Sequence, residues 1–323
     1  MTLWIFETLV TVTALMLLVL ALRRPVARMF GAGWSYALWA IPALRVVLPP
    51  VAVIRPEIEL PASFFPEAAP ALDAGAPLAD HVAAIGWGPL LLAIWAGGAI
   101  LFLTLQWLGY RAFLGRLRTG ARPARPAQHE GIPTMISPAV DGPLALGFLE
   151  RLIVLPGDFS RRYSADERRL AIEHELTHHR RGDTWWTLAA LVVLALNWFN
   201  PIAWIAFRAF RADQELACDA SVAAGASPAE RHDYACAMVK SASRPGLIAA
   251  CPLNEAAQLK RRLRLMRTHR ATPGRRAGGA AALTAMALTG FAVSAPAFTR
   301  PAPSVADAVA PRAPVATASL APA

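Results

Sequence analysis

Charge is what this chain has least of. Only 17 % of its 323 residues are Asp, Glu, Lys or Arg, against 55 % apolar, where soluble domains carry about 25 % charge. That deficit excludes an ordinary soluble enzyme. Cysteine is scarce too. Cys218, Cys236 and Cys251 form an odd set of three, which excludes a disulfide-stapled secreted domain and fits a reducing compartment. The polar bias of a wholly disordered chain is missing as well.

In place of charge stand long apolar runs. Leu3 to Leu22, Trp34 to Ile54, Ala83 to Leu108 and Ala277 to Phe298 each read as a membrane-length helix, since about 20 apolar residues span a bilayer core. A fifth run, Thr184 to Phe207, is uncharged over 24 residues. No basic stretch precedes the first run and no clean cleavage site follows it, so it reads as an anchor rather than a removable signal peptide.

The net charge of +10 invites a nucleic-acid reading, but its placement argues for a membrane. Arg23, Arg24 and Arg28 follow the first span, and Arg111, Arg116, Arg118, Arg122 and Arg125 follow the third. The loop between the second and third sets Arg55 against Glu57, Glu59, Glu67, Asp73 and Asp80. Basic flanks mark the cytoplasmic side. The expected protein is multi-pass in a bacterial inner membrane, N-terminus outside. Residues 1–108 would hold three spans (3–22, 34–54, 83–108) and a periplasmic loop, 55–82. Residues 109–276 would form a cytoplasmic domain, 277–298 a last span, and 299–323 a disordered tail with five prolines and nine alanines. No periplasmic domain is expected after the last span, and no direct nucleic-acid partner.

Within the cytoplasmic segment, Thr119 to Gln128 reads as a Pro/Arg loop, and Ile132 to Ile136 and Leu152 to Leu155 as short strands. Ser164 followed by Glu167 is a capping box. It predicts a helix from about Ala165 to Arg181, which Gly182 stops.

That helix carries His174-Glu175-Leu176-Thr177-His178. Histidines at i and i+4 share one face and can bind one Zn²⁺, with Glu175 beside them to deprotonate a water at the metal. His179 points away and reads as non-ligating. The competing reading is a polar helix whose histidines match by chance. A zinc site that keeps an open position needs a third protein ligand. Glu215 is the strongest candidate, with Asp219 four residues on as a partner for a ligating histidine. Cys218 ranks lower, and an acidic patch on a solvated helix is the alternative.

His174 to Asp183, then Asn197-Trp198-Phe199-Asn200-Pro201, then Glu215-Leu216-Ala217-Cys218-Asp219 closely resemble the BlaR/MecR antirepressor family of membrane metallopeptidases. Gly147 to Pro156 is similar to that family's strand before the zinc helix, and Trp39 to Pro49 to its second span. The resemblance covers roughly residues 1 to 298. It implies zinc held by His174, His178 and Glu215, with Glu175 as catalytic base. Best-known members carry a penicillin-binding sensor domain after the last span; here only 25 residues follow, so beta-lactam sensing is not carried over.

The zinc site constrains the fifth run. As one straight helix, Thr184 to Phe207 would be about 36 Å long and would leave Glu215 across the bilayer from His178. Residues 208 to 276 carry 13 Lys/Arg and 6 Asp/Glu, a cytoplasmic bias. A membrane-dipping hairpin over 184–207, turning near Asn200-Pro201, satisfies both.

Among other residues, Arg45 within a span is a functional candidate, with snorkelling to the outer surface as the alternative. Tyr234 could stabilise an oxyanion or simply pack. Asp183 could orient a ligand or, as the preferred reading, cap the descending helix. His81, His129, His232 and His269 read as surface residues, and Lys260 to Arg270 as a basic helix on anionic headgroups.

The expected fold is therefore a polytopic α-helical membrane protein with a small cytoplasmic α+β, gluzincin-like zinc metallopeptidase domain. Its expected function is a zinc endopeptidase of regulated proteolysis, cleaving a cytoplasmic transcriptional repressor or itself after an envelope signal. The expected partners are that protein substrate, the lipid bilayer and, if it assembles, a second copy in a homodimer. The alternatives are a quality-control or prenyl-type zinc protease and a non-catalytic signalling scaffold.

Overall fold

A computed structural model describes residues 2–47, 58–59, 87–242 and 259–264, with short pieces at 274, 277–281, 283–285 and 298–299. The end of the expected second span (48–54), most of the expected loop 55–82, most of the expected last span, the tail beyond Thr299, and Cys251, His81 and His269 lie outside the described residues.

The first apolar run forms α1 (Thr2–Met29). The third forms α4 (Trp87–Arg118), which runs on past Leu108 so that Arg111, Arg116 and Arg118 extend the same helix. Among the described residues, Ile5–Met29 and Gly88–Arg118 are the two helices long and apolar enough to cross a membrane. The second run is not one helix from Trp34 onward. It divides into α2 (Ala32–Ala37) and α3 (Ala40–Val47). Pro42 explains the break, because it has no N–H for Leu38 and its ring clashes with that carbonyl.

Four strands follow: β1 (Arg122–His129), β2 (Ile132–Ser137), β3 (Leu144–Leu146) and β4 (Leu152–Pro156). They form one mixed sheet in the order β1-β2-β4-β3, with β2 and β4 parallel and the outer pairs antiparallel. The segment expected as a Pro/Arg loop is thus a strand. Its prolines are tolerated because β1 lies at the edge, with a register shift between Pro123 and Gln128. Ser137 Oγ donates to the Leu117 carbonyl at 2.8 Å, tying β2 to the end of α4.

After the short α5 (Phe159–Arg162) comes α6 (Ala165–Arg181), capped as expected. Ser164 and Glu167 each accept the other's backbone N–H, and Gly182 adopts the left-handed conformation that ends the helix. The fifth apolar run is broken into α7 (Asp183–Leu196) and α8 (Pro201–Val222). Asn200 caps α8 by accepting the Ile202 N–H at 2.9 Å, and Pro201 occupies the first helical position, where no N–H is needed. The chain then continues into α9 (Pro228–Ala242).

Two cores result. One joins Val12, Met16 and Val19 of α1 and Trp39 to Val193, Ala206 and Phe210 of the α7–α8 pair. The other packs Ile153 and Leu155 of β4 against Ala171 and Leu176 of α6. The α4 helix meets the α7–α8 turn closely: a Cβ on Gly98 would lie 2.3 Å from the Trp198 ring.

Candidate metal centre

The left-handed turn at Gly182 folds α7 back from α6, and α8 returns from the Asn197–Asn200 turn. Glu215 therefore arrives beside the α6 histidines. His174 Nε2 and His178 Nε2 are 3.1 Å apart. Glu215 Oε2 lies 3.5 Å from the first and 3.8 Å from the second. Ligands about 2.0–2.1 Å from a tetrahedral zinc stand roughly 3.3 Å apart, so the three atoms match the edges of such a site.

The far side of each ring is fixed. His178 Nδ1 donates to Asp183 Oδ2 at 2.7 Å. Tyr234 donates its hydroxyl to Asp219 Oδ1 at 2.8 Å, which leaves its oxygen to accept from His174 Nδ1 at 2.7 Å. Both Nε2 lone pairs then face each other and the carboxylate, an arrangement that a cation relieves. Burial works against a charged His178, but the hydrogen bond to Asp183 and the Glu215 carboxylate outweigh it and raise its pKa. For Glu215, burial is opposed and exceeded by His174, His178 and Arg262, which hold it well below the ordinary carboxylate value.

A second donor set is present. His174, His178 and Cys218 offer atoms within 4.8 Å of one another. Cys218 Sγ, however, approaches the Nδ1 side of His174, at 3.4 Å, and the backbone carbonyl of the same residue. Burial first, then the charges of Glu215 and Asp219, push its thiol pKa up. A thiol ligates as thiolate, so chemistry favours Glu215 over Cys218 at this site.

Glu175 is 7 % exposed and, with His174, His178 and Glu215, lines a cleft of about 540 Å³. Its lining also includes Leu144, Ala145 and Leu146 of β3, whose outer edge has no strand partner among the described residues. Tyr110 and Phe148, their rings tilted with centroids 5.9 Å apart, and Arg211 and Arg262 also line it.

The remaining expected residues sort clearly. Asp219 supports His174 through Tyr234 and is held by Arg262 at 2.7 and 2.8 Å. Asp183 is not a helix cap; Gly182 occupies that position, and the Asp183 side chain orients His178. The hydroxyl of Tyr234 is committed behind His174, on the ring nitrogen away from the site, rather than aimed at a scissile carbonyl. His179 points away, with Nε2 3.2 Å from the Leu152 carbonyl of β4. Arg45 does not snorkel: it is 2 % exposed and interacts with Glu7. Within the basic segment from Lys260, Arg262 turns inward to Asp219 and Glu215 instead of outward to headgroups. Sequence reasoning missed Arg211, Arg262, Tyr36, Gln214 and strand β3. For β3 a signal existed, an apolar Leu144-Ala145-Leu146 bounded by Pro143 and Gly147.

Histidines on one helix, a carboxylate on another and a cleft beside a free strand edge point to the metallopeptidase class. The profile of the BlaR1 peptidase M56 family matches residues 3–266, and the chain belongs to that family. It is 31 % identical over 94 residues to regulatory protein BlaR1 of Bacillus licheniformis, a stretch of 29 % of this chain and 16 % of that protein. The chain thus covers well under two thirds of that relative's length. The two apolar helices, together with this kinship, point to a membrane protein.

Proposed function

We propose that this chain is a zinc-dependent endopeptidase of the inner membrane, acting in regulated proteolysis. The observation that carries the reading is the triangle of His174 Nε2, His178 Nε2 and Glu215 Oε2, with edges of 3.1, 3.5 and 3.8 Å. These three residues would hold the metal. When bound, zinc supplies Lewis-acid polarisation of a carbonyl and acidifies water.

The chain's own residues supply the rest. Glu175, buried beside the histidines, takes a proton from the attacking water and returns it to the leaving amine. The free edge of β3 pairs with an extended substrate backbone, so that main-chain hydrogen bonds place the scissile bond and the cleft reads side chains. Asp183, Tyr234 and Asp219 hold both imidazoles in the tautomer that presents Nε2.

Membrane placement follows the charge pattern and the exposed apolar surface. Trp185, Trp186, Phe199 and Ile205 of the α7–α8 pair are 50, 43, 53 and 52 % exposed, apolar surface suited to lipid rather than water. The pair dips into the cytoplasmic leaflet, with the centre at its surface and the N-terminus outside. The substrate in this reading is a cytoplasmic transcriptional repressor, the protein itself, or both. The test uses the detergent-purified chain, with zinc content and time-dependent self-cleavage measured for wild type and Glu175→Gln. About one zinc in each, with fragments from wild type alone, is the expected result. Equal fragmentation of the variant, or zinc in neither, would overturn the reading.

A further inference from the structure

We propose that Tyr36 is a positioning residue for the metal centre, and that through it the N-terminal segment sets how tightly the centre holds its ion. The inference rests on the metal-centre reading above.

Asp183 divides its two oxygens. Oδ2 accepts from His178 Nδ1 at 2.7 Å, and Oδ1 accepts from the Tyr36 hydroxyl at 3.0 Å. The Tyr36 oxygen in turn accepts from Gln214 Nε2 at 3.0 Å, and the same amide donates to the Asp183 backbone carbonyl at 3.0 Å. Gln214 is fully buried and precedes Glu215. One phenol therefore bridges the carboxylate that aims one ligand and the residue adjoining another.

The tyrosine ring is itself held by two side chains of the helices that carry the histidines and Glu215. Its ring packs on Phe210 at 5.5 Å between centroids, and the Arg181 guanidinium lies 5.0 Å over it. It belongs to α2, just after α1, and Arg23 of α1 makes two 2.7 Å hydrogen bonds to Asp213. Displacement of α1 and α2 against α8 would thus reach the centre at two points. Tyr36 does not line the cleft, so its influence is on the ion and not on substrate contact.

The outcome to expect is weaker metal binding without general unfolding. Zn²⁺ alone is titrated against a chromophoric chelator into the full chain in detergent, for wild type, Tyr36→Phe and Tyr163→Phe. The last variant removes another buried tyrosine hydroxyl, one bonded to Ser241 rather than to a residue that contacts His174, His178 or Glu215. Loss of an orienting partner typically costs about 10–100-fold in metal affinity, and Tyr36, one bond further out, should cost roughly tenfold. Tyr163→Phe should match wild type, and the cobalt-substituted spectrum should shift for Tyr36→Phe alone. Equal zinc affinity in Tyr36→Phe and wild type overturns the proposal, as does an equal loss in Tyr163→Phe. No zinc binding by wild type would instead remove the metal-centre reading and this inference with it.

Discussion

Arg23 and Asp213 offer the sharpest test of how α1 is joined to the ligand-bearing helix. Asp213 is 0 % exposed and Arg23 8 %. Their bidentate contact, 2.7 Å at both oxygens, is supplemented by the Trp39 indole N–H at 3.0 Å and the Arg261 guanidinium at 3.7 Å. Removing one partner of such a pair strands a buried charge and costs about 3–5 kcal/mol. Trp39 and Arg261 remain to compensate, so Arg23→Met should fall near the lower end, ~3 kcal/mol. At roughly 2–4 °C per kcal/mol for a chain of this order, the unfolding midpoint in detergent should drop by at least ~6 °C. Arg23→Met combined with Asp213→Leu removes both charges and should recover most of that loss, giving a coupling energy of opposite sign to the single effects. Thermal unfolding of the two single variants and the double variant completes the cycle. A loss below about 1 kcal/mol for Arg23→Met, the range of exposed pairs, would refute the argument that this contact is dry and structural.

Further outcomes follow from other contacts. Cys218→Ser should keep zinc, while Glu215→Gln should lose more affinity than the 10–100-fold typical of an orienting residue; mass-spectrometric metal analysis after dialysis would separate the two donor sets. Gly98→Ala would drive a Cβ to 2.3 Å from the Trp198 ring and should destabilise by about 1–3 kcal/mol, seen as faster proteolysis at the α7–α8 turn. Burial would raise the Glu167 pKa, but hydrogen bonds from Lys240 and the Ser164 N–H outweigh it and leave the value below 4.5. A depressed folded pKa contributes stability that is full above the unfolded value and is lost as pH falls through the folded one. Lys240→Met should therefore flatten the decline of the unfolding midpoint between about pH 5 and pH 3.

The elements with local chemical signatures were legible in the sequence. Ser164, Glu167 and Gly182 bound α6 because caps are read within one turn of chain. Asn200-Pro201 marked the start of α8 for the same reason. The pairing of Glu215 with the histidines was legible from the third ligand that a zinc site needs, and that pairing in turn required the fifth apolar run to turn back. What stayed hidden depends on partners far along the chain. Asp183 looks like a cap until His178 is folded over it, and Arg262 looks like a headgroup contact until Asp219 is opposite. Strand β1 was concealed by its own prolines, which only an edge position accommodates. Tyr36 gave no signal, since nothing local tells a tyrosine that its hydroxyl will meet a residue 147 positions away.

The core that unites Val12 and Trp39 with Val193 and Phe210 bears on how the protein can be handled. A fragment beginning near residue 109 would keep His174, His178 and Glu215, yet it would leave Phe210 without Trp39, Asp213 without Arg23 and Asp183 without Tyr36. Such a truncation uncovers the face of the α7–α8 pair that α1 and Trp39 pack against. Trimming the chain to a piece without its first helix should therefore loosen the packing that brings these side chains together.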